Sequence, residues 1–498
     1  MLIQRLESLL VTPIELFKEE IEVINDNGLV EIQPIHCESF KEIVDYLKTR
    51  LSITRSIEDT LATIMSVVIS TPLPGNSLWV HIIGPPSSGK TTIIELFDAA
   101  RKYVVPRSTF TGLVSGFKKP KNTDNDDSVS PIEIYNGKTI MVKDLTPLLT
   151  QSEAQKQKVF GQLRDAYDRS IRVDYLNDEK SHYENVQFSM VTGVTDVVRT
   201  MDDSLLGARF LCCEYMDAEY EAHINEHLDR AINNAIEDAT TLFSDNSKDN
   251  GGASSTNSNS SSNNAVRDDK GHIDISFGID QLFIGENKES DYPEIIDETK
   301  PESELDKFNN QIRGMVYGFI KHKSENWNNA VIPIFDDKTK KRIGNLASLC
   351  VLLRTKVERD KKGRTLQKIR PEMPMRFATQ LSKLHVMLTY VLSLPVNSMK
   401  VHEIVTKISI DTINPHGHRW QVLKNLIPRS DDLTVGITAI ELQKRSQVNL
   451  ESVAHVLLDF DELGIIEVIK PERSRNAMDW LYKPNVKVLN GWKLIFGE

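Results

Sequence analysis

The chain has 498 residues, 40% of them hydrophobic and 26% charged, with a formal net charge of −11. That is material for roughly two to four domains, and the acid excess excludes indiscriminate nucleic-acid binding while leaving room for a local basic channel. Cys37, Cys212, Cys213 and Cys350 lack metal-binding spacing and read as reduced thiols of a cytoplasmic protein. The opening "MLIQRLESLLVTPIELFKEE" mixes acids into its apolar residues, so no signal peptide is expected, and no apolar run approaches bilayer length.

Residues 1–75 read as a helical N-terminal segment. Its "SIEDTLATIMSVVIS" opens on a capping-box pattern at Ser56 and Asp59, and "TPLPGN" at 71–76 breaks it. From Leu78 to about Met216 the pattern is α/β. "LWVHII" is a buried strand, 90–104 a helix, "TIMV" at 139–142 a second strand, and "QSEAQKQKVFGQLRDAYDR" a helix. "VQFSMVTGV" and "RFLCCEY" add strands. Short apolar strands alternating with helices imply a parallel sheet covered on both faces. The core spans 76–243 with a long polar helix from about 217. A Ser/Asn-rich linker or insertion follows at 244–302, too polar to bury anything. Helical periodicity returns over 303–427. Residues 428–498 run helix, turn, helix, strand, wing, strand, the order of a winged helix, with Asn449 capping the second helix and Gly464 ending it.

The sharpest local signal is "IIGPPSSGKTT", with Gly84-x-x-x-x-Gly89-Lys90-Thr91 set between a strand and a helix. This is a Walker A P-loop, and it implies ATP with Mg²⁺. Gly84 and Gly89 let the backbone curl around Pro85, Pro86, Ser87 and Ser88, so that N–H groups point at phosphate. Lys90 brings charge to the β/γ oxygens, Thr91 a hydroxyl to the metal, and Thr92 continues the helix opening. The second strand ends in "TIMVKDLTPLL". Asp144 is the metal-side acid without an adjacent glutamate, or it takes the water-activating position while Lys143 displaces the metal-side acid. A plain helix cap by Asp144 is the bland alternative.

With these motifs in view, the chain resembles AAA+ ATPases of bacteria, phages and mobile elements. These are related in plan to the minichromosome maintenance (MCM) helicases and carry a C-terminal winged helix. The resemblance rests on "PLPGNSLWVHIIGPPSSGKTT", "FTGLVSGFKK", "TIMVKDLTPLLT", "FGQLRDAYDRS", "VTGVTDVV", "LLGARFL", "VERD" and "MRFATQLSKL", over roughly 60–490. It implies an α/β P-loop AAA+ core with a helical lid. It puts Thr195 at the sensor-1 position, Arg209 as the finger reaching a neighbour's ATP, and Arg376 as the sensor-2 arginine of the lid. The bland alternatives are a strand-end backbone bond for Thr195, an ion pair of Arg209 with Asp202 or Asp203, and one of Arg376 with Glu372. A finger acting in trans implies a self-assembled ring, a hexamer among the candidate sizes.

"SIRVDYLNDEKSHYE" reads as a β-hairpin before sensor 1. In MCM-like rings such a hairpin points into the pore, which makes Lys180 a candidate DNA contact, although Asp178 and Glu179 beside it weaken phosphate attraction. Lys118 and Lys119 (with Lys121), and the wing residues Lys470, Arg473 and Arg475, are further candidates. The second helix of the winged segment carries Glu451, Asp459, Asp461 and Glu462, which makes it a poor major-groove reader. His455, Asn449 and Ser452 remain possible contacts there. The expected function is an ATP-driven helicase or translocase remodelling DNA. The rivals are an ATP-gated assembly switch with slow hydrolysis, and a helicase loader or protein remodeller.

Overall fold

The computed structural model describes residues 32–113, 131–174, 180–200, 209–215, 304–327, 334–360, 365–427, 436–471 and 479–496. The polar helix expected from about 217, the Ser/Asn-rich tract, Lys118, Lys119, Lys121, Asp202, Asp203, Arg473 and Arg475 lie outside them.

The first part of the chain supplies β1 (Trp79–Ile83), β2 (Val104–Arg107), β3 (Thr139–Val142), β4 (Ser170–Asp174), β5 (Lys180–Glu184), β6 (Ser189–Val194) and β7 (Phe210–Glu214). Five of these form a wholly parallel sheet in the order β2-β3-β6-β1-β7. Every residue of β1, β3 and β6 is buried, as strands covered on both faces require. Alternation divides them between two cores. Val80, Ile82, Met141 and Val191 join one hydrophobic cluster, and Trp79, Ile83, Ile140, Val142, Met190 and Val194 join the other. The first cluster also takes in α1 (Phe40–Lys48) and α2 (Arg55–Ser70), and it runs on into the C-terminal helices. The N-terminal helices therefore share the core of the sheet they precede.

Two sequence expectations are corrected here. The helix expected from Ser56 is capped instead by Thr54, whose side chain accepts from the Ile57 N–H at 3.4 Å. Ser56 is already inside α2 and faces the sheet, donating to the Glu214 carbonyl at 3.3 Å. The helix expected over 90–104 is only α3 (Lys90–Glu95). Tight turns follow, with N–H bonds from Phe97 to Ile94 O and from Ala100 to Phe97 O. The β-branched Val104 and Val105 then pair with Thr139 and Ile140.

Three short or medium helices follow on the sheet's second face, α4 (Pro131–Tyr135), α5 (Thr146–Leu149) and α6 (Glu153–Tyr167). The expected hairpin is present as β4 and β5, antiparallel, with Asp174 opposite Lys180 as its last described pair and its tip outside the described residues. From residue 304 onward come α7 (Glu304–Glu325), α8 (Asp337–Arg354), α9 (Met375–Leu392), α10 (Met399–Thr412) and α11 (His418–Leu426). Helix α10 covers the edge of β7 with side chains in place of a further strand. Asp411 Oδ2 accepts from the Glu214 N–H (2.9 Å), Thr412 Oγ1 accepts from the Cys212 N–H (2.9 Å), and Lys407 Nζ donates to the Glu214 carbonyl (2.9 Å).

The chain closes with α12 (Ala439–Ser446) and α13 (Leu450–Glu462), strands β8 (Ile437–Thr438), β9 (Ile466–Ile469) and β10 (Leu481–Pro484) in the order β8-β10-β9, and α14 (Val486–Phe496). Asn449 caps α13 by accepting from the Ser452 N–H at 2.8 Å, and Gly464 follows its end at φ +66°. Both match the sequence reading. Among the described residues no helix is long and apolar enough to cross a membrane.

Candidate nucleotide site

A parallel sheet gathers the C-terminal ends of its strands on one side, where loops can converge on a ligand. Here β1 runs into the glycine-punctuated loop. Ser87 and Gly89 take left-handed φ values of +57° and +85°. The Gly84 N–H donates to the Val194 carbonyl at 3.3 Å, tying the loop to β6. A Cβ on Gly84 would come within 3.2 Å of Ser88 Oγ, a tight contact that the hydroxyl would have to relieve, and within an ordinary 3.5 Å of Lys90 Cδ.

Lys90 is buried and its ammonium donates to the carbonyls of Gly84 (2.9 Å) and Pro85 (2.5 Å) and to Ser88 Oγ (3.2 Å). Burial presses its pKa below the ordinary lysine range, while Asp144 and Asp196 act against that shift. The α3 helix that begins here is only six residues long, so its dipole is smaller than the sequence implied. Thr91 is exposed at its first turn.

The end of β3 settles where Lys143 and Asp144 go. Lys143 turns toward α3 and pairs with Glu95 (2.7 Å) and Asp98 (3.5 Å). Asp144 is exposed, and one oxygen accepts from the Thr146 N–H at 2.8 Å. The helix cap offered as the bland alternative does not form: Leu145 is the N-cap of α5, and the helix has no side-chain cap bond. The Asp144 bond to the Thr146 N–H is a local turn bond that uses one carboxylate oxygen. Gly193 makes this corner possible. A Cβ there would stand 2.3 Å from the Lys143 carbonyl oxygen, and the Gly193 carbonyl accepts from the Leu145 N–H at 2.9 Å. Thr195, half-buried, leaves β6 between the loop and Asp144.

Two residues escaped the sequence reading. Asp196, directly after Thr195, lies in the electrostatic reach of Lys90. Its signal was its place after the strand that the order seats between β1 and β3. Tyr215 closes the loop from the β7 side: Cβ atoms built on Gly84 and Gly89 would meet its Cβ and hydroxyl at 3.7 and 3.4 Å. An aromatic residue closing "RFLCCEY" was the available hint.

Arg209 and Arg376 lie together, but at the opposite end of the sheet. Arg209 immediately precedes β7 and is paired with Asp168 at 3.0 Å; Asp202 and Asp203, the partners of the bland alternative, lie outside the described residues. Arg376 stands 3.8 Å from Glu372, as the bland alternative had it. The two guanidinium groups lie 5.5 and 5.8 Å from the ring centre of the same residue, Tyr167. Tyr167 meets Trp79, the first residue of β1, edge-on. The five residues of β1 separate this cluster from the glycine loop, a span of about 13–16 Å at a strand's usual rise.

The candidate nucleic-acid contacts are dispersed. Lys180 begins β5 beside the hairpin tip. Lys470 lies 4.5 Å from the ring centre of Trp480. On α13, Asp459 is paired with Arg359 (2.9 Å) and Arg419 (2.7 Å), and Glu462 accepts from Thr365 Oγ1 (3.2 Å). Those two acids serve internal docking, so they are not a free acidic face turned to a partner.

No group of three or more His, Cys, Asp or Glu among the described residues could hold a metal by itself. The hydroxyl of Thr91 and the carboxylate of Asp144 are hard oxygen ligands of the sparse kind that Mg²⁺ uses when phosphates complete its shell. They fit that ion. No protein-family model matches the chain, and no curated protein matches it either.

Proposed function

We propose that this chain is an ATP-binding AAA+ ATPase with a helical lid over 303–427 and a winged helix at its C-terminus, acting as a ring and driving DNA remodelling in the manner of MCM-like helicases. The observation that carries the reading is the convergence of the Gly84–Thr92 loop, Asp144 and Thr195 at one end of a parallel sheet, with Lys90 poised inside the loop. Loop N–H groups would hold the β-phosphate, and Lys90 would exchange its loop carbonyls for β/γ oxygens. Thr195 would bond the γ-phosphate or the attacking water. Magnesium held by Thr91 and Asp144 would neutralise charge on the same oxygens.

The placement of Arg209 and Arg376 supports assembly. Both lie remote from the loop of their own subunit, and in a ring a neighbour would have to meet this side, with the buried Arg209 released from its pair with Asp168. From there they would offset charge on the neighbour's transferred phosphoryl group. Lys180 on the hairpin and Lys470 on the wing are the described DNA-contact candidates.

A switch that binds ATP, assembles and turns over slowly is the second reading. It is favoured by Lys143, which occupies the position beside Asp144 and is committed to Glu95 and Asp98. Steady-state turnover of Mg·ATP, with and without single-stranded and forked DNA, separates the two. A motor shows DNA-stimulated turnover that vanishes in Lys90→Ala and Asp144→Asn. Tight ATP binding with negligible, DNA-indifferent turnover leaves the switch.

A further inference from the structure

An AAA+ site needs two acidic functions, one beside the metal and one to polarise the attacking water. Position 145 is leucine and position 143 a lysine held elsewhere, so β3 offers Asp144 alone. The sheet order seats β6 between β3 and β1. The bonds Gly84 N–H to Val194 O and Leu145 N–H to Gly193 O pin the end of β6 to the glycine loop on one side and to the Asp144 corner on the other. The next residues out of that strand are Thr195 and Asp196. Asp196 is well exposed and opens the 3₁₀ turn Asp196–Thr200.

Asp196 faces a fixed cation, Arg199, across an ion-pair distance, without a hydrogen bond to the Arg199 Nε. Arg199 Nε lies 3.6 Å from Asp196 Oδ1. Arg199 is itself fixed, with one nitrogen bonded to Glu214 Oε1 and another donating to the Asp411 carbonyl at 3.0 Å. Its side chain is only 11% exposed. Glu214 precedes Tyr215, which covers the loop, and its N–H is received by Asp411 on α10. Arg199 is therefore braced from β7 and from the C-terminal helices at once, and it stands at ion-pair distance from the exposed Asp196 carboxylate.

Resting on the nucleotide reading above, we propose that Asp196 is the water-polarising carboxylate that β3 lacks, and that Arg199 is its positioning residue. In the step, a water oxygen bonds to the γ-phosphorus as its proton passes to the Asp196 carboxylate. The bond from the γ-phosphorus to the β–γ bridging oxygen breaks, and its electron pair leaves with ADP. The proton then returns to solvent or to the released phosphate. Strand order and the two bonds at the end of β6 put Asp196 on the segment that leaves between the glycine loop and the Asp144 corner.

The test compares wild type with Asp196→Asn, Asp144→Asn and Lys90→Ala, using a fluorescent ATP analogue, ADP, and ADP with fluoroaluminate as a transition-state mimic. Asp196→Asn is expected to leave ATP and ADP affinity within about threefold of wild type, and to lower turnover about 10²-fold or more. It is also expected to lose the extra affinity that fluoroaluminate gives to ADP. Arg199→Ala should show the same split more weakly, and Arg199→Lys should recover part of it. Turnover of Asp196→Asn within about threefold of wild type, with Asp144→Asn dead, overturns the inference and leaves the nucleotide reading standing. Equal losses for ATP, ADP and the mimic assign Asp196 to folding or ground-state binding and overturn it too. A wild type that binds ATP but neither turns over nor captures the mimic has the same consequence. If wild type fails to bind ATP, or Lys90→Ala binds it equally, the underlying reading fails instead.

Discussion

The two ends of the parallel sheet are built in different ways. At the C-terminal end, one contiguous stretch from Gly84 to Thr92 forms most of the site, and neighbouring strands add one residue or two each. At the N-terminal end, the cluster around Tyr167 draws on distant segments: Tyr167 ending α6 with Asp168 and Arg169 just after it, Arg209 before β7, and Arg376, Gln380 and Lys383 on α9. Those last three share a helical stripe by their spacing. Gln380 donates to the Arg209 carbonyl at 2.8 Å. Lys383 donates to the carbonyls of Leu73 (3.0 Å) and Asn76 (3.2 Å), and Arg169 to that of Gly75 (2.6 Å), all in the loop entering β1. The first end encloses one cation, Lys90, in a backbone loop, and the second gathers several cations on distant segments. Under the proposed ring, a neighbour would supply the phosphate for these arginines, and the buried Arg209 would have to leave its pair with Asp168 to reach it.

The largest effect expected belongs to the C-terminal end. Lys90→Ala should remove measurable ATP affinity in an equilibrium titration, since it deletes the cation that the loop encloses. At the opposite end, Arg209→Ala should leave ATP affinity per subunit intact while lowering turnover by about 10³-fold, the scale of a lost arginine finger. An equal loss of affinity would place Arg209 in its own subunit's site and break the comparison.

Gly193→Ala tests the corner shared by β3 and β6. Its Cβ would collide with the Lys143 carbonyl, so chemical denaturation should show a loss of about 1–3 kcal/mol. Unchanged stability and turnover would mean that the Asp144 corner shifts freely.

The smallest effect is a slope in pH. Burial, aided by Arg169, lowers the Lys383 pKa from 10.5 to about 7. Between those values the unfolded chain holds more protons than the folded one. Stability should therefore rise as pH increases from about 7 to 10.5, with no contribution from this group below that window. Lys383→Met should flatten that rise in melting curves taken across it.

Legibility in the sequence followed the same division. The glycine loop is local: its residue types and spacing are dictated by backbone curvature, so it could be read before any fold was known. The capping of α13 by Asn449 was legible for the same reason. The cap of α2 went to Thr54 because Ser56 was claimed by a carbonyl across the chain, which no local pattern records. The run after Glu95 looked helical by composition, but Val104 and Val105 took the place beside β3. Asp196 and the shared Tyr167 are products of strand order and of chain segments far apart. Spacing within one segment cannot express that. Resemblance pointed to Arg209 and Arg376 individually, while their meeting on one aromatic ring came only from the fold.

The most direct test of the two-ended account is subunit mixing. Lys90→Ala and Arg209→Ala proteins would be assayed for Mg·ATP turnover separately and then combined, with assembly followed by light scattering. The account predicts that each alone is inactive and that the mixture recovers activity, because an intact glycine loop in one subunit then meets an intact Arg209 from its neighbour. Mixed assemblies that form but stay as inactive as the separate variants would contradict it.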